Sequence, residues 1–108
     1  MGSPASQERF VVDVSDLAPG GLLPVKIGGR ELLICNVDGA YHAIENRCPH
    51  SAVPLSGGTL RGCVLECPLH GGALDVRDGS AHSPPIRRPV ASFPVRAVGG
   101  GLEIELVA

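Results

Sequence analysis

Two short segments, Cys48-Pro49-His50 and Cys67-Pro68-Leu69-His70, constrain this chain more than anything else in it. Each supplies one thiol and one imidazole, spaced Cys-x-His in the first and Cys-x-x-His in the second. Thiolate sulfur and neutral imidazole nitrogen are metal ligands. Four of them in two separate segments require a fold that brings two loops face to face above a rigid base.

The ligand types are mixed within each half, and proline follows both cysteines. A structural zinc site with two Cys and two His usually places like ligands together, cysteines in one half and histidines in the other. Two mixed pairs instead match a 2Fe–2S centre in which two His replace two Cys on one iron. In these residues the chain resembles the Rieske iron–sulfur family. The resemblance implies one 2Fe–2S cluster, with Cys48 and Cys67 on one iron and His50 and His70 on the other. Two ferric ions and two sulfides leave a surplus positive charge that two thiolates cancel, whereas four thiolates would leave an anion. An electron enters a neutral site more easily, so such centres lie at roughly −150 to +300 mV, against about −400 mV for plant-type ferredoxins. A non-redox structural zinc module stays open as the alternative for the same four residues.

At 108 residues the chain suits one domain. Residues 1–8 read as a disordered or vector-derived leader, and 9–108 as a single domain with its cluster-binding part at about 46–90. The sequence is 44% apolar, yet it has no Trp, one Tyr and two Phe, so its core must rest on aliphatic side chains. Fifteen Gly and ten Pro without a repeating period point to many turns and shaped loops. No apolar run approaches the length of a membrane span, and no export signal is visible. A net charge of −2 gives no case for nucleic acid or an anionic membrane as partner. Cys35 and Cys63 sit in apolar runs and read as small buried hydrophobes, with a disulfide between them the less supported alternative. Reduced thiols and the missing export signal point to the cytoplasm.

Short strand signals dominate, and no window carries a helical period. Strands are expected at 9–14, 22–27, 31–37 and 41–45, with Gly28-Gly29-Arg30 and Asp38-Gly39 as tight turns. Residues 60–66 and 74–76 read as strands around the second ligand loop, and 93–98 and 102–107 as a closing hairpin. The fold class expected is all-β: an antiparallel β-sandwich base carrying a small, loop-built cluster-binding subdomain, the Rieske fold.

Further features extend the resemblance beyond residue 8: Gly71 after the second His, the Asp78-Gly79 turn, and the proline-bearing segment Ser83-Pro84-Pro85. It implies that Gly71 and Gly72 lie close around the cluster and that Pro84 and Pro85 form a third loop covering it. The departures are equally informative. Rieske proteins of respiratory complexes carry an extra Cys in each ligand loop, and here those positions are Val53 and Leu69. Those relatives also place Ser and Tyr hydroxyls on the cluster sulfurs, where this chain has Gly72 and Leu74. Hydrogen bonds to sulfur raise the potential, so the low end of the range is expected.

These features resemble the ferredoxin component of a bacterial ring-hydroxylating dioxygenase system. Its implied partners are a flavin-containing ferredoxin reductase and a terminal oxygenase, between which it passes single electrons, a monomer by default and no enzyme itself. A second implication is the small subunit of a cytoplasmic NAD(P)H nitrite reductase, although many of those lack the full ligand set. His50 and His70 are the expected electron exit. The docking rim would comprise Val53, Pro54, Leu55 and Pro84. Arg47 and Arg87-Arg88 could steer an acidic partner, although a solvated basic face is the plainer reading. His42 and His82 carry no expected chemistry, and no mononuclear iron triad can be assembled.

Overall fold

The computed structural model describes residues 7–69 and 71–107 and is built from short antiparallel strands. Three sheets form. The first joins β1 (Gln7–Asp13), β11 (Gly101–Val107) and β10 (Val95–Val98), with β11 in the middle. The second runs β2 (Leu22–Ile27), β3 (Arg30–Val37), β4 (Ala40–Glu45) and β9 (Ser92–Phe93). The third runs β5 (Thr59–Arg61), β6 (Val64–Glu66), β7 (Ala73–Asp75) and β8 (Ala81–Ser83). One turn of 3-10 helix, Leu55–Gly57, is the helical exception among the described residues.

The β2–β3–β4 meander forms because two-residue turns close both hairpins. Gly28 and Gly29 at φ 58° and 76°, and Asp38 and Gly39 at φ 52° and 93°, adopt the left-handed conformations such turns require. β3 is buried on both faces. Leu32 and Ile34 join Phe93, Leu102, Ile104 and Leu106 in the core of the base, while Leu33 and Cys35 join Ile44, Leu65 and Leu74 in a second core beneath the ligand loops. At the end of β3 lies Asn36, only 2% exposed. Its amide nitrogen donates to the Leu17 carbonyl (2.8 Å), and its side-chain oxygen accepts from Gly39 N–H (2.7 Å).

The all-β class and the base meander agree with the expectation, and several boundaries move for physical reasons. The 93–98 strand is two strands. Pro94 has no N–H to donate, and the chain changes sheets there, from β9 beside β4 to β10 beside β11. The 60–66 strand is a hairpin, turned at Gly62 with φ 59°. The subdomain carrying both Cys-Pro segments thus has a sheet of its own, extended by β8, which runs directly into Ser83-Pro84-Pro85. Gln7 and Glu8 pair with Val107 and Leu106 in β1, whereas 1–6 lie outside the described residues.

Candidate metal centre

Both ligand segments begin where a strand ends. β4 leads to Asn46, a mostly buried side chain that ties the first loop shut: its oxygen accepts from Ser56 N–H (2.9 Å) and its nitrogen reaches the Ser56 hydroxyl (3.5 Å). Inside that closure Cys48 N–H donates to the Val53 carbonyl, and Ala52 N–H to the Cys48 carbonyl, both at 2.8 Å. The tight loop holds Ala52 at φ 64°. The Cys48 sulfur faces inward and buried, and His50 stands exposed at the loop tip.

β6 leads to Cys67, whose N–H donates to the Gly72 carbonyl at 2.6 Å. The turn between them passes Gly71 at φ 71°, a conformation that suits glycine. Leu69 is 44% exposed, a large apolar side chain between the two ligand positions of that segment. His70, expected as a ligand, lies outside the described residues.

The third segment closes over Gly72. A Cβ added at Gly72 would lie 2.8 Å from Ile86 Cγ1 and 3.1 Å from Pro85 Cδ, so only glycine lets these loops touch. Pro85 is half-buried against this contact and Pro84 is exposed, joined by a cis peptide bond. Arg88 donates to the Pro49 carbonyl at 3.2 Å, linking the third loop to the first beside His50.

The two cysteine sulfurs come together among Leu55, Leu65, Leu74 and Ile86. The Ser51 hydroxyl bridges them, 3.9 Å from the Cys67 sulfur and within reach of Cys48. Backbone N–H groups also point at sulfur, those of His50 and Ser51 at Cys48 and that of Leu69 at Cys67. Burial raises both thiol pKa values, but the Ser51 and backbone hydrogen bonds bring Cys48 below its usual value. For Cys67, burial and the neighbouring Cys48 outweigh its own donors and leave it raised. Two buried sulfurs ringed by N–H and O–H donors, with Cys67 favouring the Cys48 thiolate and that thiolate opposing ionisation of Cys67, suit a cationic thiophilic centre that would hold both as thiolates. The donor set fits an iron–sulfur group. No group of three metal-ligating side chains converges among the described residues; the structure unites the two thiols and leaves His50 exposed at the loop tip.

Other expectations are placed as follows. Cys35 and Cys63 are free thiols; burial pushes Cys35 up to about 12. His42 is half-buried on β4 and His82 exposed on β8. Val53, Pro54 and Pro84 reach the surface, but Leu55 is fully buried, because the 3-10 turn directs it under the loops. It cannot belong to a docking rim. Leu69 is exposed instead, and the contacts of Ser51 with the Cys67 sulfur and of Asn46 with Ser56 are ones that spacing alone does not reveal.

Comparison with known proteins agrees with this geometry. The Rieske [2Fe-2S] domain pattern matches residues 7–94. The ferredoxin component of a naphthalene 1,2-dioxygenase system from Pseudomonas putida is 38% identical over 85 residues, covering 79% of this chain and 82% of that protein. The complex of reduced oxygenase and oxidised ferredoxin of carbazole 1,9a-dioxygenase contains a chain 35% identical, with a TM-score of 0.82 over 92% of each. A Mycobacterium tuberculosis protein assigned as an NADH-dependent nitrite reductase small subunit is 27% identical, with a TM-score of 0.81 over 94% of this chain and 97% of that one. The chain therefore belongs to the Rieske [2Fe-2S] family, with one such cluster as its cofactor, and within it to the ferredoxins of aromatic-ring dioxygenase systems, which carry electrons to a terminal oxygenase.

Proposed function

We propose that Cys48, His50, Cys67 and His70 hold the cluster, and that the chain takes single electrons from a flavin-containing reductase supplied by NADH or NADPH. The observation that supports this most is the buried thiol pair, presented by two Cys-Pro loops with donors aimed at both sulfurs. The bound group supplies one-electron storage. The protein's residues do the rest. Leu55, Leu65, Leu74 and Ile86 keep water from the thiolate side, and the Ser51 hydroxyl and loop amides stabilise added negative charge at sulfur. His50 offers an exposed edge where a partner can approach. Exposed Leu69, Pro54 and Pro84 give that rim an apolar contact for brief association.

The test is spectroscopic. The purified protein should be reddish-brown, bleach on anaerobic dithionite, and give the electron paramagnetic resonance signal of one reduced cluster. Cys48→Ser and His50→Ala should each abolish or shift that signal. A colourless protein containing only zinc would refute the assignment. For the partners, reduced protein should drive turnover of a ring-hydroxylating oxygenase, with NADH consumed through the reductase. The likeness to the M. tuberculosis protein favours one competing reading. Co-purification with a sirohaem protein, together with failure to support any such oxygenase, would decide for it.

A further inference from the structure

The charge of this molecule is unevenly placed. Residues 46–90 carry five Arg against three acidic residues, a formal +2, while the rest carries four Lys or Arg against eight acidic residues, a formal −4. The three loops at 46–58, 67–72 and 80–90 hold Arg47, Arg87 and Arg88 and no carboxylate at all. All three arginines are exposed. The ion pairs among the described residues are Arg77–Asp75 and Arg96–Glu103, so none of the three loop arginines is neutralised. Arg88 is held by a neutral partner, the Pro49 carbonyl, one residue from His50. Arg47 and Arg88 line an open groove of about 380 Å³ with Pro49, His50 and Pro89, and the half-buried Glu45 is its one acidic wall.

Unpaired guanidinium groups around one site raise the local potential and attract carboxylates bidentately. The acidic remainder of the molecule repels the same partner, so the two ends together orient an approaching acidic surface toward His50. We propose that the cluster end is a cationic port, with Arg47, Arg87 and Arg88 selecting a redox protein whose electron-transfer face is lined by carboxylates. The port rests on the carrier reading above and specifies the partner's chemistry.

Net and local charge make opposite predictions, which gives a clean test. Reduced, cluster-loaded protein is mixed in a stopped-flow instrument with hexacyanoferrate(III) or with tris(phenanthroline)cobalt(III). Each metal complex accepts one electron from the protein. The net charge of −2 would make the anionic oxidant faster as salt rises; a cationic port makes it slower. The expected result is a fall of roughly tenfold between low and physiological salt for hexacyanoferrate, with the cobalt complex flat or accelerated. The double variant Arg47→Glu with Arg87→Glu should reverse the sign of that salt effect, and Arg9→Glu on the base sheet should leave it in place. Poly-L-glutamate should compete with hexacyanoferrate for the parent at low salt and not for the double variant. Cluster-loaded protein whose hexacyanoferrate rate rises with salt, or which ignores poly-L-glutamate, overturns the port while leaving the carrier assignment intact. Protein that binds no cluster overturns both.

Discussion

Replacing Gly72 by alanine tests whether the third loop is a packed lid. Gly72 is buried between Cys67, whose N–H its carbonyl accepts at 2.6 Å, and the Pro85–Ile86 pair. The added methyl would sit 2.8 Å from Ile86 Cγ1, 3.1 Å from Ile86 N and 3.1 Å from Pro85 Cδ. Comfortable carbon contacts begin at roughly 3.5 Å, so Ile86 must retreat by several tenths of an ångström. It is not free to do so cheaply, since its side chain is buried in the core below the sulfurs and its N–H donates to Ser83 at 3.2 Å. Overpacking of this kind costs about 1–3 kcal/mol. Because Gly72 is not in a left-handed conformation, the cost is steric rather than torsional. Charged to the closed position of the third loop, it raises the open population roughly 5- to 150-fold. The assay is loss of the visible cluster absorbance in excess chelator, beside hydrogen exchange of residues 83–88. Both should accelerate by that factor in Gly72→Ala. Gly72→Ser, which restores the hydroxyl of high-potential relatives, should also shed its cluster faster. A Gly72→Ala protein with the parent's half-life and exchange rates would show that the third loop does not seal the site.

The remaining predictions are shorter. Ser51→Ala removes the hydroxyl at the Cys48 and Cys67 sulfurs; if that bond strengthens on reduction by about 1 kcal/mol, the potential falls by about 40 mV, and an unchanged potential in film voltammetry contradicts it. Leu74→Ala empties a fully buried position beneath the site, costing about 2–5 kcal/mol, and should lower the thermal midpoint by about 10 °C or more. The Arg77 guanidinium holds Asp75 down to about 2, from an ordinary 3.8. A depressed carboxylate stabilises the fold above its unfolded pKa and loses that contribution as pH falls through the folded value. The stability difference between parent and Arg77→Ala should therefore be full at pH 5 and vanish near pH 2, read by circular dichroism. A thiol reagent should label half-buried Cys63 well before Cys35, whose burial and raised pKa keep it inert; equal rates would refute the packing described.

The base was legible because its signals are local. Gly28-Gly29 and Asp38-Gly39 announce their turns, and the alternation in 102–106 announces an inward face. The two Cys-Pro segments stood out because metal chemistry restricts which residues may stand at such spacings, and the structure brings their two thiols together. What escaped depends on closure through space. Asn46 acts through Ser56 ten residues on, and Ser51 acquires its role only when the second loop arrives sixteen residues later. Leu55 looks like a loop-tip hydrophobe until a single 3-10 turn aims it inward. Pro94 divides a strand that apolar content alone presents as continuous. Leu69 stands out in the sequence for the cysteine it is not, rather than for the exposed side chain it is.

The burial of β3 on both faces has a consequence for how this chain finds one alignment. A strand usually chooses its register because one face is apolar and the other polar. Here Leu32, Leu33, Ile34 and Cys35 are all apolar and all buried, so within this run a slip by one residue would only exchange the two sets, and register must be fixed at its ends, where Glu31 is exposed and Asn36 buried. Asn36 removes that degeneracy. Its amide finds Leu17 and Gly39 in one alignment, and any slip would strand it unsatisfied in the interior. One amide thus acts as the key that sets the ligand loops at the right height above their foundation.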